Sequence, residues 1–301
     1  MAAALVGVAA GLVAVAPVVV AAGSALPHHG APVVDSYVAL GDSYTSGPAV
    51  PSQLGPTTTP PAPSSCLRSS DNYPSLTARA LGLVLTDVSC AGATTGDLTG
   101  AQAAGVPPQL DAVRPATSVV SVGIGGNDLG FSRIVDGCLS ATPWGGTRVG
   151  WSCARHDGGE GTDPLTTGVQ QVGARVATVL ADIRSRAPRA RVFVIGYPEI
   201  LPTTGSGCWP LLPFSGGDLG FLRDVESALN ATLAQAAGSA GDTYVDMAGP
   251  STAHNACTSA DSRWVEPVLS SRHTFPLHPS AAGMEGMALT LEDSISPHRA
   301  G

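Results

Sequence analysis

Short apolar runs alternate with longer helical patterns along this chain from about residue 33 onward. The apolar runs, rich in Val, Ile, Leu and Tyr, predict strands at 33–40, 83–89, 118–122, 191–195 and 243–246. Amphipathic stretches predict helices at 73–81, 168–186, 218–237 and 280–291. Parallel strands need such helix-length crossovers, which cover both faces of the sheet. We therefore predict one three-layer α/β/α domain built on a five-stranded parallel sheet, with long loops such as 137–164.

The charged residues exclude several classes of function. The formal net charge is −8, and all 15 basic residues are arginine, since the sequence contains no lysine. A chain with this balance lacks the basic surface that neutralises phosphates, so we predict no nucleic-acid partner. The absence of lysine also excludes a Walker A loop, a Schiff-base nucleophile and a Ser-Lys dyad, each of which needs an ammonium group.

The N-terminus resembles an export signal. Residues 1–22 are apolar without interruption, and the small residues at 21–25 form a potential cleavage site. We predict a signal peptide at 1–25, a linker at 26–32 and the folded domain at 33–301, and hence a secreted protein. An uncleaved, outward-facing membrane anchor is the alternative, because about 20 apolar residues are long enough to span a bilayer.

Six cysteines in an exported chain favour disulfides over free thiols. Fifteen connectivities are open, and no C-x-x-C pattern points to a metal. The cysteines fall into three neighbouring pairs along the sequence, and we favour that pairing. The predicted bridges are Cys66–Cys90, Cys138–Cys153 and Cys208–Cys257.

Three polar motifs directly follow predicted strands, where parallel sheets collect their functional groups. Ser43 lies in the turn Gly-Asp-Ser after the first strand, and Gly92 lies in the turn after the second. Asn127 follows the third strand in Gly-Ile-Gly-Gly-Asn-Asp, which fails the dinucleotide fingerprint because Asp128 occupies the position of its last glycine. Each motif alone is equally explained by ordinary turn chemistry.

His278 stands immediately before the last predicted helix. If Pro279 is the first residue of that helix, the positive end of the helix dipole disfavours the imidazolium and keeps His278 neutral, as a general base must be. The alternative for a single histidine is an ordinary surface or packing position. The histidines show no metal-ligand spacing, so we predict no metal and no cofactor.

Together, Ser43, Gly92, Asn127 and His278 resemble the Ser, Gly, Asn and His markers of the SGNH/GDSL hydrolases, in the same order and setting. The resemblance covers about residues 36–295 and is nearest to the secreted, disulfide-containing lipases and esterases of actinomycetes. It implies a flavodoxin-like fold and acyl transfer, with Ser43 as nucleophile and His278 as its base. The oxyanion hole would consist of the backbone N–H groups of Ser43 and Gly92 and the side-chain amide of Asn127.

The sequence departs from the family pattern at one position. Most members place an aspartate three residues before the histidine, and here that residue is Phe275. Some secreted members use a backbone carbonyl instead, so we expect the carbonyl of Phe275 to orient His278. Asp246, at the end of the last predicted strand, is the alternative residue that could orient His278, and Asp42 is a weaker candidate for this role.

The expected substrate is a small-molecule or lipid ester, cleaved by a monomer without an obligate protein partner. A carbohydrate or cell-wall acetylesterase carries the same four markers, and a non-catalytic binding protein of this fold is a further alternative. A classical α/β-hydrolase is excluded because no G-x-S-x-G motif occurs. The apolar loop 211–214, Trp144 and Trp209 are candidates for acyl-chain contact, with packing as the alternative.

Overall fold

A computed structural model of the protein describes residues 1–2, 35–59, 61–141, 164–203, 207–269 and 274–296. The elements below all belong to the unit Val34–Gly301. Five parallel strands form one sheet in the order β2-β1-β3-β4-β5, the flavodoxin-like order. The strands are β1 (Ser36–Gly41), β2 (Val84–Asp87), β3 (Val119–Gly123), β4 (Arg191–Ile195) and β5 (Thr243–Val245). The predicted fold class is confirmed.

Helices connect the strands and cover the sheet. They are α1 (Ser43–Ser46), α2 (Tyr73–Leu81), α3 (Gly96–Thr99), α4 (Gly126–Leu129), α5 (Phe131–Ala141), α6 (Pro164–Arg186), α7 (Gly216–Ala240), α8 (Ala248–Ser251) and α9 (Ala281–Ile295). All four predicted helices are present, and the prediction for α2 is correct at both ends. Asn72 caps the start of α2 by accepting from the Ser75 N–H at 3.1 Å, and Gly82 ends it in the left-handed conformation.

The core lies on both faces of the sheet because successive strand residues point in opposite directions. Tyr37 and Ala39 of β1 pack on the face that α9 covers. Val38 and Leu40 pack on the opposite face, against the apolar stripe of α6. The central strands β1 and β3 are therefore buried on both faces, and a site can form where their carboxyl ends meet polar loops.

The predicted loop 137–164 is partly wrong, because α5 continues to Ala141. Phe131, Ile134, Val135 and Cys138 recur at helical spacing and pack against the core. Residues 142–163 lie outside the described part of the chain, and so do the predicted signal peptide and linker, apart from residues 1–2. In the described ranges, every helix is too short or too polar to span a bilayer.

Candidate active site

Ser43 lies at the carboxyl end of β1, where the strand turns into α1. Asp42 caps α1 by accepting from the Tyr44 N–H at 2.9 Å, and its own N–H donates to the Gly123 carbonyl at 3.0 Å. Ser43 is consequently the first residue of a helix whose start is bonded to β3. Ser43 is largely buried, with 9% of the residue surface exposed.

Gly41 permits this turn because no side chain fits at its position. A Cβ there would lie 2.7 Å from the carbonyl oxygen of Gly123, well inside contact distance. Gln109 bonds both backbone groups of Gly41, accepting from its N–H at 2.8 Å and donating to its carbonyl at 3.0 Å. The backbone of Gly41, two residues before Ser43, is thus held in place by Gln109.

His278 lies on a loop that runs beside the segment 264–266. The Leu277 N–H donates to the Glu266 carbonyl at 2.9 Å, and the Glu266 N–H donates to the His278 carbonyl at 3.0 Å. These bonds place the Nε2 atom of His278 2.9 Å from the Oγ atom of Ser43. The structure therefore brings together the two residues that the sequence proposes as nucleophile and base.

The Nδ1 atom of His278 is bonded to a backbone carbonyl, but not to the one we predicted. It lies 2.9 Å from the carbonyl oxygen of Pro276, whereas the carbonyl of Phe275 accepts from the His278 backbone N–H at 3.1 Å. Proline at the second position and a φ of 58° at Leu277 are features of a type II turn. Because the Phe275 carbonyl closes this turn, the Pro276 carbonyl faces the ring.

Neither carboxylate rival contacts the imidazole. Asp246 accepts from the backbone N–H groups of Ala248 and Gly249 at the start of α8. Asp42 accepts from the phenol of Tyr197 at 2.6 Å. A main-chain oxygen is therefore the partner of Nδ1, as expected in kind, with Pro276 in place of Phe275.

The helix after His278 starts later than predicted. Pro279 forms an isolated bridge with Val265, and α9 begins at Ala281 with Ser280 as its cap. Burial lowers the pKa of His278 below its usual value of about 6.5, and the bond to the Pro276 carbonyl acts against this shift. The ring is therefore favoured in the neutral form, through burial.

The turn that carries Gly92 presents a free backbone donor. The Ala93 N–H donates to the Cys90 carbonyl at 3.1 Å, and Gly92 between them has a φ of 78°, which glycine adopts without strain. The N–H groups of Gly92 and Ser43 have no hydrogen-bond acceptor in the described ranges. Both remain available to a ligand.

Asn127 joins this turn to the site. Its Nδ2 atom donates to the Ala93 carbonyl at 2.9 Å, which uses one of its two N–H bonds. Asn127 lines the same cavity as Ser43 and His278, whereas Gly92 is not among the cavity's lining residues. The four predicted site residues thus fall into one group of three and a neighbouring turn.

Tyr197 and Asp128 are supporting residues that the sequence did not reveal. The Tyr197 hydroxyl accepts from the Gly126 N–H at 2.9 Å as well as donating to Asp42. Asp128 accepts from the N–H and the hydroxyl of Thr95, which ties the Gly92 turn to α4. Burial raises the pKa of Asp42 to about 7. No sequence motif identifies Tyr197 or Asp128 as a supporting residue, because their hydrogen bonds join segments that are far apart in the sequence.

A cavity of about 270 Å³ opens beside Ser43 and His278. Its wall is mainly apolar, with contributions from Phe131, Val135, Leu139, Ile200, Leu229, Val268 and Leu277. Leu212 and Phe214 of the predicted acyl-contact loop pack in the core instead, and Trp209 is exposed. Trp144 lies outside the described residues.

Two of the predicted disulfides are confirmed, Cys66–Cys90 and Cys208–Cys257. Cys90 of the first bridge lies two residues before Gly92. Beside the bridge, the Ala91 N–H donates to the Cys66 carbonyl at 3.0 Å. Cys153, the predicted partner of the buried Cys138, lies outside the described residues, so this pairing stays a prediction.

Comparisons with known proteins agree with this geometry. The profile of the GDSL-like Lipase/Acylhydrolase family matches residues 39–285. Lipase 2 of Streptomyces coelicolor is 40% identical over 266 residues, which are 88% of this chain and 86% of the relative. The crystal structure of phospholipase A1 from Streptomyces albidoflavus is 27% identical, with a TM-score of 0.69 over 86% of this chain and 99% of its own.

The extracellular lipase from Streptomyces rimosus gives the same structural result. Its crystal structure is 28% identical, with a TM-score of 0.69 over 86% of this chain and 99% of its own. The match of the family profile covers most of the chain and includes Ser43, Gly92, Asn127 and His278. The chain belongs to the GDSL-like lipase/acylhydrolase family.

Proposed function

We propose that this chain hydrolyses carboxylic esters through an acyl-enzyme on Ser43, with His278 as the general base. The observation that carries the proposal is the 2.9 Å contact between Nε2 of His278 and Oγ of Ser43. The carbonyl of Pro276 can accept a hydrogen bond but cannot donate one, so it favours the His278 tautomer with the proton on Nδ1. Nε2 then carries the lone pair that a base needs.

In the first half of the reaction, Nε2 of His278 takes the proton from Ser43 as Oγ attacks the ester carbonyl carbon. The tetrahedral intermediate collapses when the imidazolium returns that proton to the leaving alcohol, and the acyl group remains on Oγ. Water then repeats the sequence in the second half and releases the acid. A lowered pKa suits His278 for this role, because it favours the neutral ring, which can accept a proton.

The oxyanion of the intermediate would be stabilised by the free N–H groups of Ser43 and Gly92 and by the second N–H of Asn127. The bond from Asn127 to the Ala93 carbonyl orients this amide before substrate binds. Preorganised donors stabilise developing charge more than water does, because they need not reorient during the reaction.

The apolar wall of the cavity favours an ester with a hydrocarbon acyl chain over an acetylated glycan, whose hydroxyls need polar partners. The relatives named lipase and phospholipase point the same way. We also propose that the protein is secreted, because disulfides persist in oxidising compartments. A monomer is part of the proposal, since the reaction uses residues of one chain.

Hydrolysis of p-nitrophenyl esters from acetyl to palmitoyl, alongside an acetylated glycan, tests this proposal, with Ser43→Ala as control. We expect turnover that requires Ser43 and extends to acyl chains longer than acetyl. Activity on the acetylated glycan alone would favour the acetylesterase. No turnover on any substrate would favour a binding protein of the same fold.

A further inference from the structure

Two one-turn helices start at the carboxyl ends of the neighbouring strands β1 and β3. The helix α1 begins with Ser43 and is capped by the side chain of Asp42. The helix α4 begins with Gly126 and has Asn127 as its second residue, but the residue before it is Gly125, which has no side chain to cap it. Because Gly126 is buried, its N–H needs an acceptor from another part of the chain.

Tyr197, in the segment after β4, supplies this acceptor. Its hydroxyl oxygen accepts from the Gly126 N–H at 2.9 Å, and the hydroxyl proton is donated to Oδ2 of Asp42 at 2.6 Å. The other oxygen of this carboxyl group, Oδ1, caps α1 by accepting from the Tyr44 N–H at 2.9 Å. A single phenol hydroxyl thus joins the starts of α1 and α4.

Tyr197 is itself held in place by its surroundings. Asn230 of α7 bonds both of its backbone groups, accepting from the N–H at 2.8 Å and donating to the carbonyl at 2.9 Å. The Tyr197 ring packs edge-on against the ring of Tyr44, with 5.0 Å between the ring centres. Both Tyr197 and Asn230 are buried. A side chain that is locked by packing and hydrogen bonds can hold its neighbours at fixed distances.

The Tyr197 hydroxyl has no proton left for a substrate. A phenol donates one hydrogen bond, and Asp42 receives it. Tyr197 lines the same cavity as Ser43 and Asn127, but its hydroxyl cannot donate to an oxyanion while it donates to Asp42. Any effect of this hydroxyl on the reaction must therefore pass through the residues that it holds.

We propose that the Tyr197 hydroxyl is a positioning group for the oxyanion hole, which holds α4 against α1 so that the Asn127 amide stays in place beside Ser43. The inference rests on the proposed ester hydrolysis. The bond from Asn127 to the Ala93 carbonyl orients the amide, whereas the bond from Gly126 to Tyr197 holds the helix that carries it next to the nucleophile. A displacement of about 1 Å can cost about 100-fold in rate.

The test is a double-mutant cycle on kcat/KM for p-nitrophenyl butyrate. Tyr197→Phe removes the hydroxyl and keeps the ring, and we expect kcat/KM to fall about 10–100-fold, through kcat, with KM within about threefold of wild type. In an Asn127→Ala background, the same substitution should cost less than about threefold, since the amide that it positions is already absent. Rates of the Ser43→Ala variant are subtracted to remove spontaneous hydrolysis.

Tyr37→Phe is the matched control, because it removes a buried phenol hydroxyl of β1 that lies outside the cavity wall. This hydroxyl shares a hydrogen bond of 2.7 Å with the Ser121 hydroxyl. Urea unfolding should show a loss of stability in Tyr37→Phe, whereas its kcat/KM should stay at the wild-type value.

A Tyr197→Phe variant with wild-type kcat/KM, or one whose loss is the same with and without the Asn127 amide, would overturn the inference. A loss of similar size in Tyr37→Phe would also overturn it, because removal of any buried phenol hydroxyl would then be sufficient. Failure of the wild type to hydrolyse the ester would instead contradict the proposed function on which the inference rests.

Discussion

The Nδ1 atom of His278 lies 2.9 Å from the carbonyl oxygen of Pro276, and in the described ranges no carboxylate contacts this ring. A backbone carbonyl orients the imidazole without adding charge. The imidazolium formed during proton transfer would therefore have a dipole as its partner rather than an anion. The low pKa of His278 agrees with this arrangement, because a nearby carboxylate would raise the pKa.

Replacement of Asp246 by asparagine should leave turnover within about threefold of wild type, a change of under 1 kcal/mol in the barrier. The carboxylate of Asp246 accepts from backbone N–H groups at the start of α8 and is not part of the active-site cavity. Steady-state kinetics on p-nitrophenyl butyrate measures the effect, and circular dichroism checks the fold. A loss of two orders of magnitude in a folded variant would make Asp246 the orienting residue.

Asn127→Ala should lower kcat by about 10²–10³-fold with a much smaller change in KM, because an oxyanion donor acts in the transition state. Asn127 also holds the Ala93 carbonyl, so a second variant must separate the two roles. Thr95→Val loses the hydroxyl bond to Asp128 but keeps the Asn127 amide. Equal losses in both variants would show that Asn127 only positions the turn.

The pH profile of kcat/KM should have an acid limb with a midpoint below 6.5. His278 must be neutral to accept a proton, so activity rises with pH through its pKa, and burial moves that pKa downward. NMR titration of the imidazole in the Ser43→Ala variant assigns the limb, since Asp42 also titrates in the neutral range. A histidine that titrates at or above 6.5 would contradict the structural account of its environment.

Removal of the disulfide Cys66–Cys90 should lower both stability and kcat. The bridge closes a separation of 24 residues, which corresponds to about 3 kcal/mol of unfolding free energy, and it holds the turn that presents Gly92. Urea unfolding and kinetics of the Cys66→Ala/Cys90→Ala variant measure both effects.

The matched control is Cys208→Ala/Cys257→Ala, whose bridge has no residue in the cavity wall. It should lose stability while keeping kcat. If both double variants lose kcat to the same extent, the loss reflects general destabilisation, and the Gly92 turn needs no anchor.

Much of the fold was predictable, because hydrophobic periodicity reports directly on burial. The alternation of apolar strands with amphipathic helices indicated the five parallel strands and the long helices. Helix α5 was missed because its apolar stripe runs directly into a segment rich in Gly and Thr, which pointed to a loop. Short helices such as α1 and α4 have too few residues for a periodic signal.

The candidate catalytic residues could be identified from the sequence, whereas the hydrogen bonds that support them could not. Ser43 and His278 stand out by position and by resemblance, although 235 residues separate them. The carbonyl that binds His278 belongs to Pro276 rather than Phe275 because Leu277 has a left-handed conformation. Leucine rarely adopts this conformation, so the sequence did not predict it. Tyr197 meets Asp42 only because β1, β3 and β4 are neighbours, so this contact is a property of the assembled sheet.

The central claim is that Ser43 becomes acylated. Rapid-quench mass spectrometry of the protein, mixed with p-nitrophenyl octanoate and digested, measures this directly. We expect a burst in which the peptide carrying Ser43 gains the mass of the octanoyl group. In Ser43→Ala we expect no such label and a turnover that is lower by about 10⁴-fold or more. Acylation of a different residue, or undiminished turnover in Ser43→Ala, would contradict the account.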